Sequence, residues 1–475
     1  MNRKEITKEI EKYINGKIGD IDILTFGTSE DSKEQYLINV AIRLVNEFTA
    51  FNDGVASRAD YLNALRIFLL SYHTAIEEPR FQNDELNRFG IYRKANTNII
   101  FASYDIPDYI QHSEFVRCVF DDNSAVVDKI NNDYYLYTNS YIRKLTGGKY
   151  NRFKSIEQKL AVYGALRTPK GYTTLVSMPT GGGKSLITQS IAFTEPGLTI
   201  VIVPTVSLAI DQERAAKKSL RGVNIDDIFC YYSGVKNAQD IFDGILNRKA
   251  RLLFISPEAL IKSERFRDVL DKVNADRYIK NIVIDEAHIV IAWGDLFRVD
   301  YQCLEPWKDK LMKSNAEIRT FLLSATFEDN TVRLLESMFS RGGRWIEIRC
   351  DALRREPRYI TLKGKSYSDK KKKVLQLIDK LPHPMIIYVN TPSEANKWQK
   401  ILMENQYSNI KVFTGETKSD EREDIIRAWN ANECETIIAT TAFGVGVDKP
   451  DVRTVLHVYV PQSPDAYYQE LGRGG

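Results

Sequence analysis

Short apolar runs recur along the chain at Thr173–Ser177, Leu198–Val203, Leu252–Ser256, Asn281–Ile284 and Thr320–Leu323, each divided from the next by a longer polar stretch with helical spacing. A second series follows at Met385–Val389, Ile410–Phe413, Thr436–Ala439 and Arg453–Val458. A strand covered on both faces reads as an unbroken apolar run, and strands alternating with helices build a parallel sheet. The pattern predicts an α/β fold with two successive lobes. Between them, Asp351–Lys373 is basic and polar, contains Pro357, and reads as a linker. Residues 1–149 follow a different pattern, rich in Asn, Asp, Tyr and Lys, with helical spacing in Tyr36–Phe51 and Arg58–Tyr72. The expected division is a mostly helical or α+β accessory domain over 1–149, a first lobe over 150–350 and a second over 351–475.

Composition excludes more than it selects. The 475 residues exceed what one core usually organises. No apolar run reaches the roughly 18 residues that cross a bilayer, and Met1-Asn2-Arg3-Lys4-Glu5 lacks the apolar core of a signal peptide, so the expectation is a cytoplasmic protein. A net charge of +3 leaves room for a nucleic-acid partner held in a local basic groove. Cys118, Cys230, Cys303, Cys350 and Cys434 lack metal-ligand spacing and read as reduced, buried thiols.

Ser177-Met178-Pro179-Thr180-Gly181-Gly182-Gly183-Lys184-Ser185 follows a predicted strand and opens a helix. Glycines let the backbone curl around phosphates and aim N–H groups at them; Lys184 would neutralise the β- and γ-phosphates of ATP, and Ser185 would hold Mg²⁺. The general motif has glycine where this chain has Met178. Ile282-Val283-Ile284-Asp285-Glu286-Ala287-His288 is an apolar strand ending in two acids, at the strand end where open α/β sheets bind ligands. Asp285 suits Mg²⁺, directly or through water, and Glu286 suits orienting and deprotonating the attacking water. An exposed acidic turn is the blander alternative, and the phosphate loop upstream weighs against it.

Pro179–Ser185, Asp285–His288 and Ser324-Ala325-Thr326 resemble the motor motifs of superfamily 2 helicases. The stretch Asp285–Tyr301, with Trp293-Gly294, Phe297-Arg298 and Tyr301, resembles the aromatic-rich loop of RecQ-type DNA helicases, departing from it at Ile289 and Ala292. Thr440-Thr441-Ala442-Phe443-Gly444-Val445-Gly446-Val447-Asp448-Lys449-Pro450 and Tyr467-Tyr468-Gln469-Glu470-Leu471-Gly472-Arg473 resemble the second-lobe motifs of that family. The likeness covers about Tyr150 to Gly475 and implies two tandem RecA-like lobes.

The resemblance assigns roles residue by residue. It implies that Gln158 reads adenine, with Tyr150 or Phe153 stacking on the base. Pro204, Thr205, Ser207 and Ser256 match segments that grip a DNA backbone, where hydroxyls suit phosphates without reading sequence. The serine and threonine positions also suit helix caps, and both roles can hold together. Trp293, Phe297 and Arg298 would form a strand-sensing loop, since stacking is worth about 1–3 kcal/mol per base and tolerates any sequence. Ser324, Ala325 and Thr326 would couple hydrolysis to lobe movement. Thr440 and Thr441 would contact the strand, and Gly446 and Asp448 would border the nucleotide. In the family a further arginine follows Arg473, so the chain as given reads as part of a longer protein, with Arg473 a participant in the site.

The implied activity is ATP- and Mg²⁺-dependent translocation along single-stranded or partly duplex DNA, 3′ to 5′, by lobes that close and reopen around each turnover. Three rivals stay open: a double-stranded DNA translocase without strand separation, an ATP-gated nucleic-acid sensor or scaffold, and an RNA helicase. In the accessory region, Asp133–Lys154 mixes tyrosines with Arg143, Lys144, Lys149 and Arg152, which suits either a single strand or a packed lead-in to the motor. An added domain suggests a specialised system with partner proteins bound through residues 1–149, bacterial genome defence being one.

Overall fold

The computed structural model describes the chain from Asn2 to Gly474, except residues 30, 104–135, 292–298, 341, 351–356, 358, 445–448 and 450. In chain order, β1 (Ala75–Glu77), β2 (Ile91–Arg93) and β3 (Ile99–Ala102) form an antiparallel sheet in the order β1-β3-β2. A parallel sheet in the order β10-β4-β9-β8-β5-β7-β6 follows, built from β4 (Thr173–Ser177), β5 (Leu198–Ile202), β6 (Ile228–Tyr231), β7 (Leu252–Ile255), β8 (Ile279–Ile284), β9 (Arg319–Ser324) and β10 (Trp345–Arg349). A second parallel sheet, β12-β13-β11-β14, comprises β11 (Met385–Tyr388), β12 (Ile410–Phe413), β13 (Thr436–Ala439) and β14 (Thr454–His457). These are the two α/β lobes that the alternating pattern predicts. Every residue of β4, β5, β7 and β9 is buried, which is why those strands read as unbroken apolar runs.

The chain divides into two compact units. One holds residues 130–354, and the other joins residues 1–129 to 355–475. The first carries the seven-stranded sheet. Residues 136–149, expected with the accessory domain, belong here: Ile142 and Leu145 pack with Phe153, Val162 and Val176 in one apolar core. Two residues of the mixed basic and aromatic stretch, Arg152 and Tyr137, contact each other, with the guanidinium 4.8 Å over the ring and Nη2 donating to the hydroxyl at 3.0 Å. The neighbouring residues 133–135 lie outside the described residues.

In the second unit the N-terminal region and the later lobe share one core. Helices α1 (Arg3–Ile14), α2 (Ser32–Asn52) and α3 (Arg58–Tyr72) begin on side-chain caps from Asn2, Asp31 and Ser57, each satisfying an otherwise orphan backbone N–H. Ile38, Leu44, Leu62, Leu65 and Phe68 from α2 and α3 join Leu377, Ile378, Ile387 and Trp398 in the same apolar cluster. Several polar side chains of α2 and α3 are also buried, among them Arg43, Asp60 and Arg66. Arg66 donates to the carbonyls of Lys380 and Leu381, both at 2.8 Å, and one carboxylate oxygen of Asp60 accepts from the backbone N–H groups of Ser408 and Asn409 at 2.8 and 3.0 Å. The apparent linker Asp351–Lys373 is shorter than expected. A helix runs over Tyr367–Lys380, capped by Ser366, and its apolar face of Val374, Leu377 and Ile378 lies beyond the polar run that suggested a linker.

Cys230, Cys350 and Cys434 are buried and Cys303 partly so, all as free thiols; Cys118 lies outside the described residues. Among the described residues no helix is long and apolar enough to cross a membrane.

His383 is fully buried between α3 and the second lobe. Its Nδ1 is 3.0 Å from the Leu381 carbonyl and its Nε2 3.1 Å from Asn63 Nδ2. A carbonyl at one nitrogen and an amide donor at the other fit the neutral ring. Burial, helped by the positive charges of Arg66 and Arg43, depresses its pKa from the usual 6.5 to about 3. Between those values the unfolded chain binds a proton that the folded chain refuses, so this group lowers stability as pH falls, with a limiting slope of about 1.4 kcal/mol per pH unit. Glu435 acts in the opposite direction: burial raises its pKa from 4.5 to about 7, so its contribution is lost as pH rises through that window. A comparison isolates the histidine. Unfolding free energies of the His383→Asn variant should fall less on acidification from pH 6.5 to 4.5 than those of the unsubstituted chain, and equal slopes would refute the assignment.

Candidate nucleotide site

The parallel register brings the motif residues to one edge of the sheet. Ser177 on β4 pairs with Ser324 on β9, Leu322 on β9 with Ile284 on β8, and Ile284 with Ile202 on β5. One residue further on, the Met178 N–H donates to the Ser324 carbonyl at 3.0 Å and the Asp285 N–H to that of Ile202 at 2.9 Å. The loop Met178–Lys184 and the pair Asp285–Glu286 therefore leave the sheet from the same side.

Gly181 and Gly183 adopt φ of 76° and 85°, the left-handed region in which glycine has no steric penalty. A Cβ at Gly183 would also lie 2.2 Å from Gln158 Nε2, so a side chain there would displace the Gln158 amide. The loop ends in the helix Ser185–Ala192, whose residues 186–192 are all buried. Lys184 at its start reaches Glu286, with Nζ 3.1 Å from Oε1.

Glu286 has φ of 50°, an uncommon conformation for a residue with a side chain. That turn sets its carboxylate between two partners, Lys184 on Oε1 and His288, whose Nδ1 is 3.5 Å from Oε2. The same His288 nitrogen is 2.8 Å from the hydroxyl of Ser324, which is fully buried beside buried Ala325 and half-buried Thr326. Asp285 is 9% exposed, and burial raises its pKa above the usual carboxylate range, with Lys184 opposing and Glu286 adding to the rise. Its Oδ2 accepts from Gln212 Nε2 at 2.8 Å and its Oδ1 from the Glu286 N–H at 3.1 Å. Gln212 was not foreseen. It lies in the polar sequence of the helix Val206–Ser219, where only the tertiary packing marks it as facing the site.

The residues fit a magnesium nucleotide. The glycine backbone leaves a cradle that side chains would fill, with Lys184, Ser185 and the buried Asp285 carboxylate at one strand edge. Among the described residues no group of three His, Cys, Asp or Glu side chains could hold a metal ion. Ser185 and Asp285 are the residues that would hold Mg²⁺, which usually takes one or two protein oxygens beside its phosphate and water ligands.

Other expected contacts stand differently. Gln158, 4% exposed, has both amide atoms engaged by the protein: Oε1 accepts from the Lys154 N–H at 2.7 Å and Nε2 donates to the Gly183 carbonyl at 3.2 Å. Lys154 Nζ donates to the Gly181 carbonyl at 3.1 Å, so this segment clasps the phosphate loop. Phe153 does not offer a stacking face; it is 3% exposed and lies edge-on to Tyr163 at 5.8 Å, because it completes the core beneath the clasp. Tyr150 is half-buried, with Lys149 Nζ 5.3 Å over its ring. Thr205 accepts from the Leu208 N–H and Ser256 from that of Ala259, each as a helix cap, with Pro204 and Ser256 buried and Thr205 half-buried. The side chain of Ser207, and Trp293, Phe297, Arg298, Gly446 and Asp448, lie outside the described residues.

In the other unit, Thr440 is buried at the end of β13 and Thr441 is exposed. Arg473 follows the helix Pro464–Leu471, which Glu470 ties to β14: one carboxylate oxygen is 2.7 Å from His457 Nε2 and the other accepts from the Tyr459 hydroxyl at 2.7 Å.

The DEAD/DEAH box helicase family matches residues 156–335, and the helicase conserved C-terminal domain matches residues 369–475. Among curated proteins, the chain is 30% identical over 360 residues to ATP-dependent helicase SGS1 of Saccharomyces cerevisiae, covering 72% of this chain and 23% of that protein. It is 32% identical to the RecQ-like DNA helicase blm-1 of Caenorhabditis elegans, covering 69% and 32%, and 32% identical to the probable ATP-dependent DNA helicase RecS of Bacillus subtilis, covering 64% and 59%. The chain belongs to the RecQ-like superfamily 2 helicases. This RecQ-like chain spans less than two thirds of each of these relatives. Solved structures share its fold: Mss116p bound to ssRNA and AMP-PNP has a TM-score of 0.55 at 18% identity, covering 73% of this chain and 71% of that one. Lhr of Mycobacterium smegmatis bound to ssDNA and AMP-PNP has a TM-score of 0.53 at 17% identity, covering 71% and 46%.

Partners that orient a metal ligand are commonly worth about 10- to 100-fold in affinity or activity. Gln212→Ala should raise the Mg²⁺ concentration needed for half-maximal ATP hydrolysis by about that range. An unchanged Mg²⁺ titration would remove Gln212 from the site.

Proposed function

We propose that this protein hydrolyses ATP with Mg²⁺ and uses the cycle to move 3′ to 5′ along a single DNA strand, separating duplex as it goes. The observation that carries the reading is the Asp285–Glu286 pair at the end of β8 with Lys184 of the phosphate loop 3.1 Å from Glu286. Lys184, released from Glu286, would bind the β- and γ-phosphates. Bound Mg²⁺ supplies positive charge where phosphoryl transfer develops negative charge. Asp285, oriented by Gln212, would hold that ion with Ser185. Glu286 would then be free to orient the attacking water and accept its proton. His288 touches both Glu286 and Ser324, which makes it the natural link from the reacting end to the Ser324–Thr326 segment.

Candidate strand contacts occur in each lobe, at Pro204, Thr205, Ser207 and Ser256 in the first and at Thr440 and Thr441 in the second. Hydroxyls and backbone groups at helix starts favour phosphate contacts over base reading, as a sequence-blind motor requires. DNA as the strand, and its polarity, rest on the RecQ-like relatives rather than on a contact with the sugar.

The deciding experiment is ATP hydrolysis with and without single-stranded DNA. Strand-stimulated turnover is expected, and Lys184→Ala and Glu286→Gln should each abolish it. Glu286→Gln should still bind nucleotide. No turnover by the unsubstituted protein, under conditions where ATP demonstrably binds, would overturn the reading in favour of an ATP-gated scaffold.

A further inference from the structure

Helix α2 carries a charged side chain into the interior of its unit. Arg43 is fully buried, and its guanidinium meets three groups of the second lobe. Nη1 donates to Asp451 Oδ2 at 2.9 Å and to Asn432 Oδ1 at 3.0 Å, while Nε is 3.2 Å from Glu435 Oε1. One turn earlier on α2, Asn39 donates to the same Asp451 oxygen at 2.8 Å. Lys449 Nζ closes the figure, 3.2 Å from Asp451 Oδ1 and donating to Asn432 Oδ1 at 2.8 Å. Arg43 and Lys449 thus share both Asp451 and Asn432, in a ring whose four members are all 7% exposed or less.

The ring adjoins the stretch that carries the proposed second-lobe strand contacts. Lys449 Nζ lies 5.5 Å over the ring of Trp429, and the same ring is 6.3 Å edge-on to Phe443. Phe443 lies two residues after Thr441 and donates its N–H to the Thr440 carbonyl at 3.0 Å. Beyond the ring, Arg453 sits 3.7 Å over the Tyr36 ring of α2. Helix α2 therefore holds Asp451 and Arg453 directly, and Lys449 through Asp451 and Asn432.

Cohesion alone does not call for such a ring. The shared apolar core and the contacts of Arg66 and Arg88 already join the N-terminal region to the lobe. Apolar residues of similar volume commonly hold an interface as well as buried ions do, whereas in some proteins buried charged and polar groups fix one arrangement among several. We propose that Arg43 is a positioning residue of the motor: through Asp451 and Lys449 it fixes residues 449–453 and the Trp429 platform beneath Thr440–Phe443, and so sets how ATP turnover responds to a nucleic-acid strand. This rests on reading the chain as a strand-stimulated ATPase.

The test measures ATP turnover against single-stranded DNA concentration for the full chain and three variants, at temperatures where circular dichroism shows each folded. Arg43→Met is expected to raise the half-maximal DNA concentration, or to lower the maximal stimulation, by about 2- to 30-fold, with the change in strand response and not in KM for ATP. Arg88→Met removes an ion pair of the same docking face, to Asp379 at 3.1 Å, whose partner lies outside the ring; it should respond to DNA as the unsubstituted chain does. Asn39→Ala should shift the response in the same direction as Arg43→Met, by less, and it decides the matter if Arg43→Met does not fold. The proposal is overturned if folded Arg43→Met and Asn39→Ala respond like the unsubstituted chain, or if Arg88→Met shifts as far as Arg43→Met. An unsubstituted chain without strand-stimulated turnover removes the parent reading and this one with it, whereas a stimulated chain with unshifted variants overturns this one alone.

Discussion

The registered pairing of β4, β9 and β8 is the constraint on which the candidate site depends. Parallel strands that end within two residues of one another deliver their next residues to one place, so the loop after Ser177, the hydroxyl of Ser324 and the acids after Ile284 converge at one edge of the sheet. The contacts that follow are short: Lys184 on Glu286, His288 on Ser324, Gln212 on Asp285. A one-residue slip in any of these strands would turn the site residues to the opposite face of the sheet. The burial of all five β4 residues and all six of β9 ties that register to the stability of the whole lobe.

A second constraint acts across sequence distance. The N-terminal helices complete the core of the later lobe, although the entire first lobe intervenes in the chain. Several charged side chains at this junction find either an opposite charge or a set of backbone groups. Asp60 takes two N–H groups and a hydroxyl from Ser408 and Asn409, Arg66 takes two carbonyls, and Arg88 takes Asp379 and the Asn405 carbonyl. Pairing of this kind offsets the cost of removing charge from water.

Legibility in the sequence followed the range of the interactions. The phosphate loop and the acidic strand end are contiguous, and their chemistry needs those residue types at those spacings, so both could be read directly. Arg58–Tyr72 was legible for the same reason, its cap and apolar spacing both being local. The edge strands β6 and β10 went unread. In β10, Trp-Ile-Glu-Ile-Arg borders the sheet and is only half-buried, so it lacks the apolar continuity of the central strands. Phe153 was read as a base platform because a motif describes what a residue can do, while packing against Tyr163 decides what it does here. The docking role of α2 was not legible. Asn39, Arg43 and Asn46, at helical spacing, have the signature of a solvated stripe, and nothing local tells such a stripe from a docking face whose acids lie some four hundred positions later.

That separation has a consequence in time. Asp451 enters the chain 408 residues after Arg43. At the ribosome's pace of about 5–20 residues per second, the interval is roughly 20–80 s. Through most of it, α2 and α3 lack the part of their core supplied by Leu377, Ile387 and Trp398, and Arg43 has no acid to meet until Glu435 and Asp451 are made. Helices α2 and α3 thus reach their final packing only after the second lobe, hundreds of residues later in the chain, has been made.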